Sequence, residues 1–104
     1  MVVWLLPDMF IIDMQYIVPL EELDEHMVEH VKFLQKYYQK ELFVASGRKV
    51  PRTGGIILVL ADSKDEVVAI MNEDPFTKHQ LAEYTITEFL TSQYHPQLKS
   101  LLSK

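Results

Sequence analysis

The chain has no cysteine, which excludes disulfides, thiolate catalysis and cysteine-ligated zinc ribbons and leaves the redox compartment open. Glycine is scarce, and all three copies lie between positions 47 and 55. Positive charge is the minority: 10 basic residues face 15 acidic ones, for a net charge of -5. A surface of that sign repels phosphate backbones, so nucleic acid is not an expected partner. No apolar run approaches the roughly 20 residues that span a bilayer, so no membrane is expected either. The apolar start, Met1 to Leu6, lacks the basic region and small-residue cleavage site of a signal peptide, and Pro7-Asp8 interrupts it. The expected location is cytoplasmic. A second methionine, Met9, stands where the first strand begins, so residues 1–8 read as an N-terminal extension or a misassigned start. N-terminal mass spectrometry of the native protein decides between these.

What is present suits one hydrophobic core. The chain is 104 residues long and 48% hydrophobic, enough for one core and too little for two. Repeats, low-complexity segments and interdomain linkers are absent. The run from Met9 to Ile17 alternates, with Phe10, Ile12, Met14 and Tyr16 on one face, and predicts a strand that Pro19 ends. From Leu20 to about Gln39 the period becomes helical: Leu20, Leu23, Met27, Val31, Leu34 and Tyr38 form the apolar stripe. Leu42 to Gly47 is a short second strand, and a loop rich in proline, glycine and cations follows. The continuous apolar run Ile56 to Ala61 is a third strand. Ser63-Lys-Asp-Glu66 has the capping-box spacing that starts a helix, with Val67, Ile70 and Met71 on its apolar side. Tyr84 to Leu90 is the last strand. A short helix is expected after Pro96 in the tail, residues 93–104.

This order predicts an α+β fold, a ferredoxin-like βαββαβ arrangement over residues 9–92. Its four-stranded, mostly antiparallel sheet carries two helices on one face. Yet both strand parities are apolar. Ile11, Phe43, Ile56, Leu58, Leu60 and Phe89 fall to one side, and Ile12, Leu42, Ile57, Val59 and Ile86 to the other. A bare apolar face exceeds what monomers tolerate, and a second copy is the simplest cover. A homodimer is the expected assembly.

Several residues are of types that carry chemistry. At about 100° per residue, His30 falls roughly 60° from the helical stripe, with His26 and Tyr37 farther round the same edge. One reading is a half-buried histidine satisfied by a nearby carbonyl; the other is a side chain aimed into a cleft. His26 and His30 have the four-residue spacing of paired metal ligands. No Glu follows the first histidine and no third ligand is evident, so no metal is expected. Asp74-Pro75-Phe76 reads as an N-cap followed by a first-turn proline, or as a carboxylate that orients His30 or acts beside it as acid or base. The loop Gly47 to Gly55 holds Arg48, Lys49 and Arg52 in an acidic protein, which suits an anion. Its glycine spacing is not that of a P-loop, and a solvated hairpin loop is the plainer alternative. Ser46 lies at its entrance without the setting of a nucleophile elbow.

Taken together, Glu29-His30-Val-Lys-Phe33-Leu34, Ala45-Ser46-Gly47, Pro51-Arg-Thr-Gly-Gly-Ile-Ile57 and Glu73-Asp74-Pro75-Phe76 resemble the YciI-like (YCII-related) family, across about Met9 to Leu90. The resemblance implies a dimeric α+β barrel of ferredoxin-like subunits. It also implies a site centred on His30 and Asp74, with Ser46 and Gly47 nearby. Many members have a proline after the Ser-Gly segment; here Arg48-Lys49 stand there. The activities of relatives imply proton transfer or elimination on a small anion, aromatic in some cases; this is analogy, since fold alone does not assign function. The expected protein is thus a cofactor-free enzyme of the lyase or isomerase kind. In it His30 moves a proton, Asp74 orients it, and Ser46, Gly47, Arg48, Arg52, His26 and Tyr37 bind substrate. The rival expectation is a dimeric small-ligand-binding module without turnover.

Overall fold

A computed structural model of the chain describes residues 8–102. Apart from Asp8, the expected N-terminal extension lies outside the described residues. The elements run β1 (Asp8–Tyr16), α1 (Leu20–Asp24), α2 (Met27–Gln39), β2 (Phe43–Arg48), β3 (Gly54–Ala61), α3 (Lys64–Met71), α4 (Pro75–Lys78), β4 (Ala82–Phe89) and a C-terminal 3-10 turn (Pro96–Leu98) leading into α5 (Lys99–Leu102). The strands form one sheet in the order β2-β3-β1-β4, with every neighbouring pair antiparallel. This is the ferredoxin-like topology that the element order predicts. No helix among the described residues is long and apolar enough to cross a membrane.

The main core lies between one sheet face and the helices. Phe10, Ile12 and Met14 of β1 and Ile57, Val59 and Ala61 of β3 meet Leu23, Phe33, Tyr37, Val67, Ile70, Met71 and Phe76. Gly54 is required where β3 begins, opposite Gln15, because an added Cβ would stand 1.8 Å from the Met14 carbonyl oxygen. The Val50-Pro51 peptide bond in the preceding loop is cis.

The long helix predicted from Leu20 to Gln39 is in fact two. At the junction the His26 N–H donates to the Leu23 carbonyl at 2.9 Å, a tightened turn of the 3-10 kind, and His26 sits at φ -112, ψ 9. Each residue in such a turn advances about 120° rather than about 100°. The inward face therefore reaches residues one place earlier than a continuous helix would give. Tyr37 is 4% exposed while Tyr38 is 37% exposed, and Val31 is 40% exposed. His30, expected at the margin, is brought to the inner side.

A second correction concerns β2. The register shifts between Phe43 and Ala45, a bulge that moves Phe43 to the helix-covered face, where it packs with Phe33 and Tyr37. The opposite sheet face is not bare. The tail folds over one end of it: Leu102 is buried with Met9 and Leu60, and Val44, Tyr94, Leu98 and Leu101 pack around them. Ile11, Ile56 and Leu58 remain partly exposed on that face.

Candidate functional site

The site is assembled by a four-residue helix. Asp74 has extended backbone angles, and its Oδ1 accepts the Phe76 N–H at 3.1 Å, with Pro75 in the first turn. This is the N-cap arrangement that the tripeptide predicts. At the other end, the Gln80 N–H donates to the Thr77 carbonyl at 3.1 Å and the Leu81 N–H to that of Phe76 at 2.9 Å, with Gln80 at φ 55. That is a Schellman closure. Capped at both ends, α4 buries Pro75 and Phe76 against the core.

Asp74 is 0% exposed, the one buried polar or charged side chain among the described residues. Its Oδ1 also bonds His30 Nδ1 at 2.8 Å. The His30 ring lies flat on Phe76, centroids 4.0 Å apart and planes 6° apart, while Tyr16 meets Phe76 edge-on. The tripeptide therefore grips the imidazole at one edge by a hydrogen bond and on one face by a stack. A carboxylate only accepts, so Nδ1 is the donor in this pair, and in the neutral ring the lone pair is then on Nε2.

His30 lines a cavity of about 270 Å³ between α2 and the sheet. Its apolar walls include Met14, Tyr16, Met27, Leu34 and Ile57, and its polar side comes from Ser46, Gly47 and Arg48. The Ser46 hydroxyl is held at 2.6 Å by the Tyr38 hydroxyl. Of the three loop cations, Lys49 pairs with Asp13 at 2.5 Å and Arg52 with Asp24 at 2.8 Å. Among the described residues Arg48 is in no ion pair. The arrangement can seat a small molecule with an anionic end at Arg48 and a proton within reach of Nε2.

The structure thus brings together His30, Asp74, Ser46, Gly47 and Arg48. It does not bring His26, Tyr37 or Arg52 to the cavity wall. His26, at the break between α1 and α2, stacks on His79 at 4.2 Å. Arg52 ties the hairpin loop to α1 through Asp24. Tyr37 is turned into the core by the helix break, and its hydroxyl donates to Glu73 Oε2 at 2.5 Å. Burial, and then this bond to a carboxylate, push the Tyr37 hydroxyl up to about 12. Lys36, bonded to Glu73 Oε1 at 2.6 Å, together with Tyr37 holds the Glu73 carboxyl below the usual carboxylate range. No group of three or more potential metal ligands is found among the described residues. Two contributors escape sequence reasoning: Phe76 as the platform for the imidazole, and Tyr38 as the holder of Ser46. Tyr38 reads as one position of the helical apolar stripe, and Phe76 only as the end of the Asp74-Pro75-Phe76 turn.

A ferredoxin-like α+β domain with a buried His–Asp pair opening on a small cavity defines the class of protein. Residues 9–90 match the YCII-related domain, and the chain belongs to that family. No curated protein matches the sequence. Among solved structures, the chain is similar to the 5-chloro-2-hydroxyhydroquinone dehydrochlorinase of Burkholderia phenoliruptrix AC1100, determined in complex with 2,5-dihydroxybenzoquinone. The TM-score is 0.70 and the identity 21%, over 81% of this chain and 95% of that one. At this identity the likeness is one of fold.

Proposed function

We propose that this YciI-like protein is an enzyme that transfers a proton at His30 Nε2 on a small, anionic, single-ring molecule held in the cavity. The observation that carries this reading is the 2.8 Å bond from His30 Nδ1 to a fully buried Asp74. A neutral imidazole oriented in this way presents a base, and the carboxylate behind it stabilises the imidazolium formed when Nε2 takes a proton. In the forward step the substrate C–H or O–H bond breaks and the N–H bond forms. The electron pair left behind then expels a leaving group from the adjacent atom, an elimination, or is reprotonated elsewhere by the imidazolium, an isomerisation. Arg48 would balance the oxyanion that develops. The dehydrochlorinase of similar fold performs a reaction of the first kind, which favours elimination. The cavity is smaller than the roughly 300–1,000 Å³ of common ligand pockets, so one ring with short substituents is the fitting class.

The test is turnover of a panel of hydroxylated and halogenated single-ring acids and phenols by the wild type, His30→Gln and Asp74→Asn. Asparagine caps nearly as well as aspartate but is not a base. Both variants are expected to fold and to lose activity by roughly 100-fold or more. Ligand binding without turnover in the wild type would instead support a dimeric binding module.

The assembly proposed with this reading is a homodimer. The tail leaves Ile11, Ile56 and Leu58 partly exposed on the outer sheet face, with Phe89 39% and Leu90 76% exposed at the end of β4. A second copy is the cover we propose for this remainder.

A further inference from the structure

We propose that Tyr37 and Glu73 form a positioning clamp that keeps Asp74 in register with His30. The inference rests on the reading of His30 and Asp74 as a working pair. Glu73 and Asp74 are consecutive residues in the turn between α3 and α4, and both are bound by α2. Asp74 takes His30, and Glu73 takes Tyr37 on one carboxylate oxygen and Lys36 on the other. His30 and Tyr37 are seven residues apart, about 10 Å along a helix axis. The neighbouring Glu73 and Asp74 thus reach two well-separated points on α2. A single hydrogen bond between two elements leaves a pivot; a second one at that distance removes it. The Asp74 carboxylate is attached through Oδ1 alone, and its Oδ2 has no hydrogen-bond partner among the described residues. Its two bonds, from His30 and from the Phe76 N–H, fix Oδ1 and leave rotation of the carboxylate about that oxygen open, and the adjacent clamp restrains that rotation.

The two arms of the clamp differ in strength. Tyr37 is buried among Phe33 and Phe43, and its hydroxyl bond to a charged acceptor is part-buried. The Lys36 arm is exposed, 49% against 41% for Glu73, and ion pairs of that kind contribute little. The other charged group near the phenol is Lys40, whose Nζ lies 5.3 Å from the ring centroid, as Lys36 Nζ lies 5.2 Å from it. Neither is placed on the His30–Asp74 bond.

The experiment reads the imidazole directly. Nitrogen-15 shifts of histidine side chains report which ring nitrogen carries the hydrogen, and no substrate is needed. The wild type is expected to show His30 as the Nδ1–H form, with Asp74→Asn as the calibrating control that changes the acceptor. Tyr37→Phe and Glu73→Ala are each expected to lower the ratio of Nδ1–H to Nε2–H forms by about tenfold, as release of one hydrogen bond allows. Lys36→Met should leave the ratio unchanged, and Glu73→Gln, which keeps an acceptor for Tyr37, should restore most of it. Glu73→Ala leaves the aromatic packing intact and serves alone if Tyr37→Phe does not fold. A ratio unmoved in folded Tyr37→Phe or folded Glu73→Ala, whatever the melting temperature, overturns the proposal. An inert protein with a shifted ratio would keep the clamp and remove the catalysis, and an active one with an unmoved ratio would do the reverse.

Discussion

At the scale of single residues, Asp74 combines two roles that sequence reading sets against each other. The same Oδ1 caps α4 at Phe76 and receives His30 Nδ1. Capping brings a carboxylate to a fixed point, and that fixed point is what an orienting partner of histidine requires. This is why Asp74→Asn is more informative than Asp74→Ala: the amide retains the cap while changing the partner offered to the imidazole. Tyr37 supports a separate pH measurement. Its hydroxyl titrates at about 12 in the folded chain against an ordinary value of 10.0, so the folded state holds the proton more tightly than the unfolded state does. The stability this represents is fully present below about pH 10 and is lost as pH rises towards about 12. Chemical denaturation of wild type and Tyr37→Phe from pH 8 upward should show their stabilities converging across that window, with a difference that is constant below it. Parallel curves throughout would show that the phenol hydroxyl is not coupled to folding.

Elements here are ended by specific local chemistry, and two ends are strained. Glu41 and Gln80 have φ values of 60 and 55, left-handed conformations that glycine adopts without the Cβ penalty. Each closes a helix by the same pair of bonds, with Leu42 N–H on the Tyr37 carbonyl matching Leu81 N–H on that of Phe76. Gln80→Gly is expected to raise stability by about 0.5–1 kcal/mol, less the backbone entropy glycine adds to the unfolded chain. Thermal denaturation of that variant checks it, and a lower melting temperature would show that Gln80's side chain contributes more than its backbone costs. Ser63 illustrates an end that is legible directly. Its side chain accepts the Glu66 N–H at 3.2 Å, as the capping-box spacing predicts, though Glu66 reaches back to the Asp62 N–H rather than to that of Ser63 itself.

The whole molecule divides its apolar surface between two covers. Helices take one sheet face, and the tail takes part of the other through Leu102, Leu98 and Leu101. Sedimentation at micromolar concentration is expected to give twice the mass of 12.2 kDa, and Leu58→Asp on the outer face is expected to return the single-chain mass with the fold intact. Phe43, which alternation places on the same face, is unsuitable for this test because the bulge puts it in the core at 2% exposure. A wild type that sediments as one chain would show that the tail alone is cover enough.

Strand and helix identities, their order and hence the ferredoxin-like topology follow from sequence, because periods of two and of three to four are local properties of the chain. The Asp74 cap and the Ser63 cap are legible for the same reason: a cap is decided within four residues. His30 and Asp74 are named as candidates by residue type and family resemblance. Their 2.8 Å bond, 44 positions apart, is a product of packing. So are the stack of His30 on Phe76 and the core position of Tyr37. A single tightened turn near His26 rotates everything after it on α2, and a single bulge at Phe43 reverses a strand's faces. Neither leaves a mark in the periodicity, because the energy that selects them lies in contacts between distant segments. Tertiary structure alone decided which cations were committed, pairing Lys49 with Asp13 and Arg52 with Asp24 and leaving Arg48 at the cavity, since partners in an ion pair are chosen by proximity in space.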